Sequence, residues 1–207
     1  LVFPVMSTSF GNVCYWIAGK ENTPFNSFGN SFRWLFVNTT DGSHFEINTY
    51  KYADVFHIAK IIKEPIEHLI TIWAVHVCDT KEWITTGEKP RIYLYRHFLN
   101  IETRECVSCE NTGVSLEFPG VSKDPDVILG TQFPNNLVEF NTMSGDVNIR
   151  NLPGNNIREV VYFEDILLYY SHEDENTYLY ALDYESLLVK TRISVPNRNP
   201  GFHSLLI

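Results

Sequence analysis

Few residues in this 207-residue chain are spaced for chemistry. A structural zinc site asks for four Cys or His ligands, usually as two close pairs. Cys106-Val107-Ser108-Cys109 supplies one pair, and no second pair completes it. His76 and Cys78 fall two apart, on one face if the segment is a strand, with His68 nearby in sequence. A metal would have to be held by ligands gathered from separate strands, and the sequence predicts no resident metal or cofactor. A nucleophile elbow requires Gly-x-Ser-x-Gly, which is absent. A phosphate cradle requires clustered glycines before a helix, whereas Gly29 and Gly42 are isolated. Paired carboxylates would suit glycoside hydrolysis. The acidic residues Asp124, Asp126, Glu164, Asp165, Glu173, Asp174 and Glu175 read as turn residues, so no catalytic residue is assigned.

What remains is the chemistry of contact. Phe25, Phe28 and Trp83 interrupt polar, turn-rich stretches. An aromatic in a loop either packs beneath that loop or meets a partner. His172-Glu173-Asp174-Glu175-Asn176 reads as an acidic hairpin turn. The expected binding surface therefore comprises Phe25, Phe28, Trp83, Glu173, Asp174 and Glu175, and the expected partner is another protein with a basic surface. Trp16, Trp34, Trp73 and Tyr93 sit in strand-like runs and are expected in the core.

The elements that must carry these residues read as strands. Apolar or aromatic residues followed by Asn or Asp and then a small polar residue recur at Asn38, Asn100, Asn141 and Asp183. The spacings are 100 − 38 = 62, 141 − 100 = 41 and 183 − 141 = 42 residues. A period of about 40–50 residues belongs to blade-type β repeats. Asn and Asp side chains bond backbone groups two residues on and so start turns, which predicts equivalent strand-end positions for all four. Expected strands include 1–6, 12–18, 32–37, 44–48, 68–78, 91–98, 106–108, 115–118, 127–131, 136–140 and 146–150. Four more, 158–163, 166–171, 177–182 and 187–194, form a complete meander, and 202–207 reads as one further strand. Residues 22–30 read as a loop. Residues 50–63 fit both helical and strand spacing and lie in the one long interval. The expected fold class is all-β, with antiparallel four-stranded meanders repeated at about 42 residues, small or partial propeller in type. Residues 1–207 are expected to form a single β-repeat domain with a candidate insertion at 50–66.

Composition bounds the function. Aromatics are 14 % of the chain and favour pleated surfaces. The net charge of −9 disfavours nucleic acid and anionic membranes as partners. The apolar runs are too short to span a bilayer. The chain opens on Leu1 rather than Met, which suggests a fragment or processed form of a longer product. Cys14 and Cys78 lie in apolar runs and are expected as buried thiols, favouring an intracellular over a secreted location. Asn38-Thr39-Thr40 is a formal glycosylation acceptor.

Some segments resemble β-propeller repeat proteins of the F-box-associated and kelch-like group. Asn12-Val13-Cys14-Tyr15-Trp16-Ile17-Ala18 resembles that group's Tyr-Trp strand. Leu137-Val138-Glu139-Phe140-Asn141, with Leu152-Pro153, resembles its strand, Asx turn and Leu-Pro segment. These segments cover less than a quarter of the chain. Paired blade glycines, Trp-Asp dipeptides and an F-box helix bundle are absent from the sequence. The resemblance implies a propeller-like interaction module. Two other readings compete with it: a secreted or surface glycan- or receptor-binding protein, and a propeller glycoside hydrolase.

Overall fold

The computed structural model describes residues 1–5, 8–10, 25–27, 32–49, 54–78 and 91–195, with 8–10, 25–27 and 54 as backbone alone. Every regular element among them is a β-strand, and no helix is long and apolar enough to cross a membrane. The chain divides into two compact units, Leu1–Ser115 and Leu116–Ile207.

In the first unit, β1 (Val2–Val5), β4 (Arg33–Val37) and β5 (His44–Asn48) form one antiparallel sheet, and β2 (Thr8–Phe10) pairs with β3 (Phe25–Ser27). A four-stranded meander follows: β6 (Asp54–Lys63), β7 (Leu69–Cys78), β8 (Arg91–Asn100) and β9 (Glu105–Asn111). The second unit holds two more such meanders. One is β10 (Glu117–Val121), β11 (Val127–Gln132), β12 (Asn136–Asn141) and β13 (Val147–Asn151). The other is β14 (Val160–Phe163), β15 (Ile166–Glu173), β16 (Asn176–Asp183) and β17 (Val189–Val195). Each strand in these three sheets pairs with its sequence neighbour, as in a propeller blade. The molecule is thus all-β and propeller-like, built on repeated four-stranded meanders.

Residues 54–63, which sequence periodicity left between helix and strand, form the first strand of their sheet. β-branched Val55, Ile58, Ile61 and Ile62 suit a pleated surface, and pairing with β7 decides the matter. Residues 25–27 pair with β2 instead of forming loop. The expected strands at 12–18 and 202–207 lie outside the described residues.

The four Asx positions are equivalent. Asn38, Asn100, Asn141 and Asp183 each end or follow the strand that precedes the last strand of their sheet. The Oδ1 of Asn38 accepts the Thr40 N–H at 3.0 Å, and that of Asn100 accepts the N–H groups of Glu102 and Thr103, both at 3.0 Å. Asn141 Oδ1 accepts from Met143 and Ser144, at 2.9 and 3.0 Å. Asp183 Oδ1 accepts the Ser186 N–H at 3.0 Å and hydroxyl at 2.8 Å. Four residues past each Asx the backbone turns left-handed, with φ of 73° at Gly42, 59° at Arg104, 78° at Gly145 and 55° at Leu187. The side chain starts the turn and the left-handed residue returns the chain to its partner strand. Those hydrogen bonds hold the Asp183 carboxylate down at about 2, with the Ser186 backbone N–H as the largest cause.

Each unit has its own core. In the first, Phe32, Trp34, Phe36 and Ile47 pack against Val55, Ile72, Ala74, Leu99 and Cys106 of the four-stranded sheet. In the second, Leu129 and Leu137 pack with Val160, Leu167, Tyr169, Tyr180 and Leu182, and Leu152 and Ile157 close the seam. Trp34 and Trp73 are core residues, as their strand positions predict, and Tyr93 is half-buried.

Candidate functional site: a groove with a carboxylate rim

Strand alternation places Leu137, Glu139 and Asn141 on one face of β12. Register sets Arg150 opposite Leu137 and Asn148 opposite Glu139 on β13. The inner part of this face packs on the β14–β17 sheet through Leu129 and Leu137. Its polar outer part meets the Asx turn after β16, which presents Tyr184. A groove of about 380 Å³ lies there, lined among others by Asp124, Glu139, Asp146, Arg150, Tyr184 and Glu185.

The floor is cross-linked by Glu139 and Arg150. Glu139 Oε1 accepts from Arg150 at 2.5 Å and from the Tyr184 hydroxyl at 2.6 Å. Its Oε2 accepts from Asn148 at 2.6 Å. Arg150 also donates to the Tyr184 carbonyl at 2.7 Å, and its guanidinium lies 4.8 Å from the centre of the Tyr184 ring. The side chains of Arg150 and Glu139 are only 20 % and 12 % exposed, so this pair is screened far less than a surface pair. Burial, with the bond to Glu139 second, pushes the Tyr184 phenol up to about 12 and keeps it a donor. Outside this floor stand the exposed carboxylates Asp124, Asp146 and Glu185. Against these three and Glu139 the lining holds one cation, Arg150, already paired. The rim therefore presents net negative charge over a rigid, hydrogen-bonded base.

Of the residues nominated from sequence, Glu173, Asp174 and Glu175 do not line this groove. Glu173 is the last residue of β15, not a turn residue, and its carboxylate folds back onto the sheet. It accepts from Tyr180 at 2.7 Å, Ser171 at 3.0 Å and Arg192 at 2.7 Å. Those donors outweigh its desolvation and lower its pKa. Asp174 and Glu175 form the exposed turn, with Asp174 left-handed at φ 52°. Phe25 opens β3, while Phe28 and Trp83 lie outside the described residues. The floor of the groove escaped sequence reading, although one signal was present. A carboxylate alternates with Leu137 on a core strand, and such a group needs donors.

Among the described residues no three His, Cys, Asp or Glu side chains group to hold a metal. No disulfide joins Cys78, Cys106 and Cys109. Burial pushes the Cys106 thiol up, which makes it an unreactive, protonated core group.

No protein-family model and no curated protein matches the chain. Among solved structures it is similar to Sqt1 of Saccharomyces cerevisiae, at 11 % identity and a TM-score of 0.40, over 78 % of this chain and 55 % of that one. It is also similar to the β-propeller domain of the Trilobed protease from Pyrococcus furiosus, at 12 % identity and a TM-score of 0.38, over 70 % and 45 %. The chain spans about half the length of each. The class assigned here, an all-β protein of blade-type meanders, rests on its own strand order and registers.

Proposed function

We propose that this chain is a non-catalytic protein-interaction module that seats a basic segment of a partner protein in the groove of the Leu116–Ile207 unit. The observation that carries the reading is the division of labour in the groove. Glu139 is consumed by the floor, while Asp124, Asp146 and Glu185 remain exposed on the rim. A Lys or Arg side chain entering there meets several carboxylates without displacing a structural bond. Such complementarity speeds encounter and selects the partner's sign of charge. A glycosidase would need a carboxyl group sheltered enough to keep its proton near neutrality. The rim carboxylates are open to water and Glu139 has donors on both oxygens, so the non-catalytic reading is favoured. Phe25, Phe28 and Trp83 remain candidate apolar anchors in the same role, with Glu173–Glu175 as a second acidic element. The kelch-like affinity rests on the short segments at 12–18, 137–141 and 152–153 and would place the module in a protein-assembly context.

The test is fluorescence anisotropy with labelled peptides of matched length, one rich in Arg and Lys and one rich in Glu. The chain is expected to bind the basic peptide, more weakly as salt rises, and to lose at least about tenfold in affinity in the D124N/D146N/E185Q variant. Equal binding of both peptides, or a variant that binds like the parent, would rule the groove out as the docking site.

A further inference from the structure

The sheet that floors the groove ends on an open strand. β13 is the last strand of the β10–β13 sheet and pairs with β12. Asn141 donates its N–H to the Asp146 carbonyl at 2.9 Å, and Leu152 donates to the Asn135 carbonyl at 2.8 Å. Hydrogen-bonded pairs in an antiparallel ladder recur at every second residue. The register between those two bonds is unbroken, so Asn148 and Arg150 bond inward, to Glu139 and Leu137. The N–H and C=O groups of Val147, Ile149 and Asn151 therefore point out of the sheet. All three residues are exposed, and no described strand pairs with that side of β13.

Comparable edges carry charge, which discourages strand pairing. β9 ends the β6–β9 sheet and holds Glu105 and Glu110, and β17 ends the β14–β17 sheet and holds Lys190 and Arg192. β13 reads Val147-Asn148-Ile149-Arg150-Asn151. Its one charge, Arg150, is drawn inward to Glu139 and the Tyr184 carbonyl. It has no proline, and its pairing with β12 has no bulge.

The two faces beside this edge differ. Alternation puts Asp146, Asn148 and Arg150 on the groove face, which opens on the rim carboxylates Asp124, Asp146 and Glu185. The side chains of Val147 and Ile149 stand on the opposite face, 43 % and 53 % exposed, across from the buried Phe140 and Val138. An exposed ion pair is worth less than about fivefold in affinity, so the rim charges alone hold a partner weakly. Backbone pairing along an open edge supplies affinity, and alternate side chains supply selectivity.

We propose that the partner segment docks as a strand added to β13, with basic side chains alternating with aliphatic ones. The basic side chains face the groove and meet Asp124, Asp146 and Glu185. The aliphatic ones pack beside Val147 and Ile149 as cross-strand neighbours. This inference rests on the reading of the groove as the seat of a basic segment, and it adds that segment's conformation and pattern.

The test uses the full chain and two labelled peptides of one composition, Lys and Val in strict alternation or in two blocks. Fluorescence anisotropy is expected to show the alternating peptide bound at least about tenfold more tightly. Ile149→Pro removes an outward donor and no bond to β12, a place where an edge strand tolerates proline. It is expected to weaken the alternating peptide at least about tenfold. Amide hydrogen exchange at Val147 and Ile149 is expected to slow on binding, while Asn148 and Arg150, already bonded to β12, change little. Equal binding of the two peptides, an Ile149→Pro variant that binds like the parent, or unchanged exchange at Ile149 under saturation overturns strand addition and leaves the charge reading standing. Failure of both peptides to bind overturns both. A free chain that is dimeric by sedimentation, with Val147 and Ile149 already protected, assigns the edge to a second copy and overturns the proposal. Should Ile149→Pro not fold, hydrogen exchange of the parent with each peptide decides the matter.

Discussion

The two units solve one problem in opposite ways. Both pack blade-type sheets face to face, and both must place polar side chains on faces that also build the core. The first unit sinks two imidazoles to the centre: His76 and His97 lie among Phe32, Trp34 and Tyr95. Of its described polar residues the second buries only small hydroxyl side chains, such as Ser171 and Thr177, and it sets its ionisable groups at the margin of the seam. Glu139 with Arg150, and Glu173 with Arg192, each sit where donors and water are both in reach. A deeply buried pair is shielded from salt, whereas a marginal ion pair answers to salt and leaves carboxylates free to meet a ligand. One fold thus carries a buried imidazole pair in one unit and an acidic rim in the other.

The largest effect that would strain this contrast is removal of a wall of the imidazole box. Trp34→Ala is expected to destabilise the first unit by about 3–5 kcal/mol, measured by urea unfolding. A loss below about 1 kcal/mol would mean the box is not tightly packed. Next comes Gly154→Ala in the second unit. Gly154 has φ 91°, and an added Cβ would collide with Ser171 Oγ and lie 2.8 Å from Glu173 Oε1. A loss of about 2–3 kcal/mol is expected, with the Tyr180–Glu173 bond broken. Full stability in the variant would show that the polar cluster adapts freely.

Smaller still is Glu139→Gln, which leaves Arg150 and Tyr184 short of a charged acceptor. Its expected cost is about 1–2 kcal/mol, growing less with added salt, because the pair is partly open to water. A salt-independent loss would place the pair in the same class as the histidines. The least costly change is Asn141→Ala, expected to cost about 1 kcal/mol through the loss of two turn hydrogen bonds. Acid separates the units again. His76 loses its contribution as pH falls below 6.5, while Asp183, held down at about 2, keeps its turn bonds until pH falls below 3.8 and loses them as it approaches 2. Hydrogen exchange at about pH 5.5, corrected for intrinsic rates, should therefore show β7 and β8 opening before β15 and β16.

What was legible in the sequence was local. The Asx turns at Asn100 and Asn141 are set by side chains reaching amides two and three residues on, so no distant partner is needed to read them. Strand limits followed, as at His44–Asn48, where Asp41-Gly42 marks the turn before it. The sites were not local. Glu139 and Tyr184 are 45 residues apart, and only sheet-on-sheet packing brings them together. His76 and His97 are diagonal rather than paired, so even a correct register would not have joined them. Glu173 looked like a turn residue because its neighbours Asp174 and Glu175 are. The extra strand length that turns it back toward Tyr180 and Arg192 comes from cross-strand pairing with Asn176.

The central functional claim is that the groove of the second unit reads positive charge. The direct measurement is backbone NMR of the full chain titrated with an Arg- and Lys-rich peptide. Saturable shifts are predicted at Val127, Val147, Asn148, Tyr184 and Glu185, lost in D124N/D146N/E185Q. Saturable shifts centred instead on Asp174 and Glu175, or no saturable shifts at all, would contradict it.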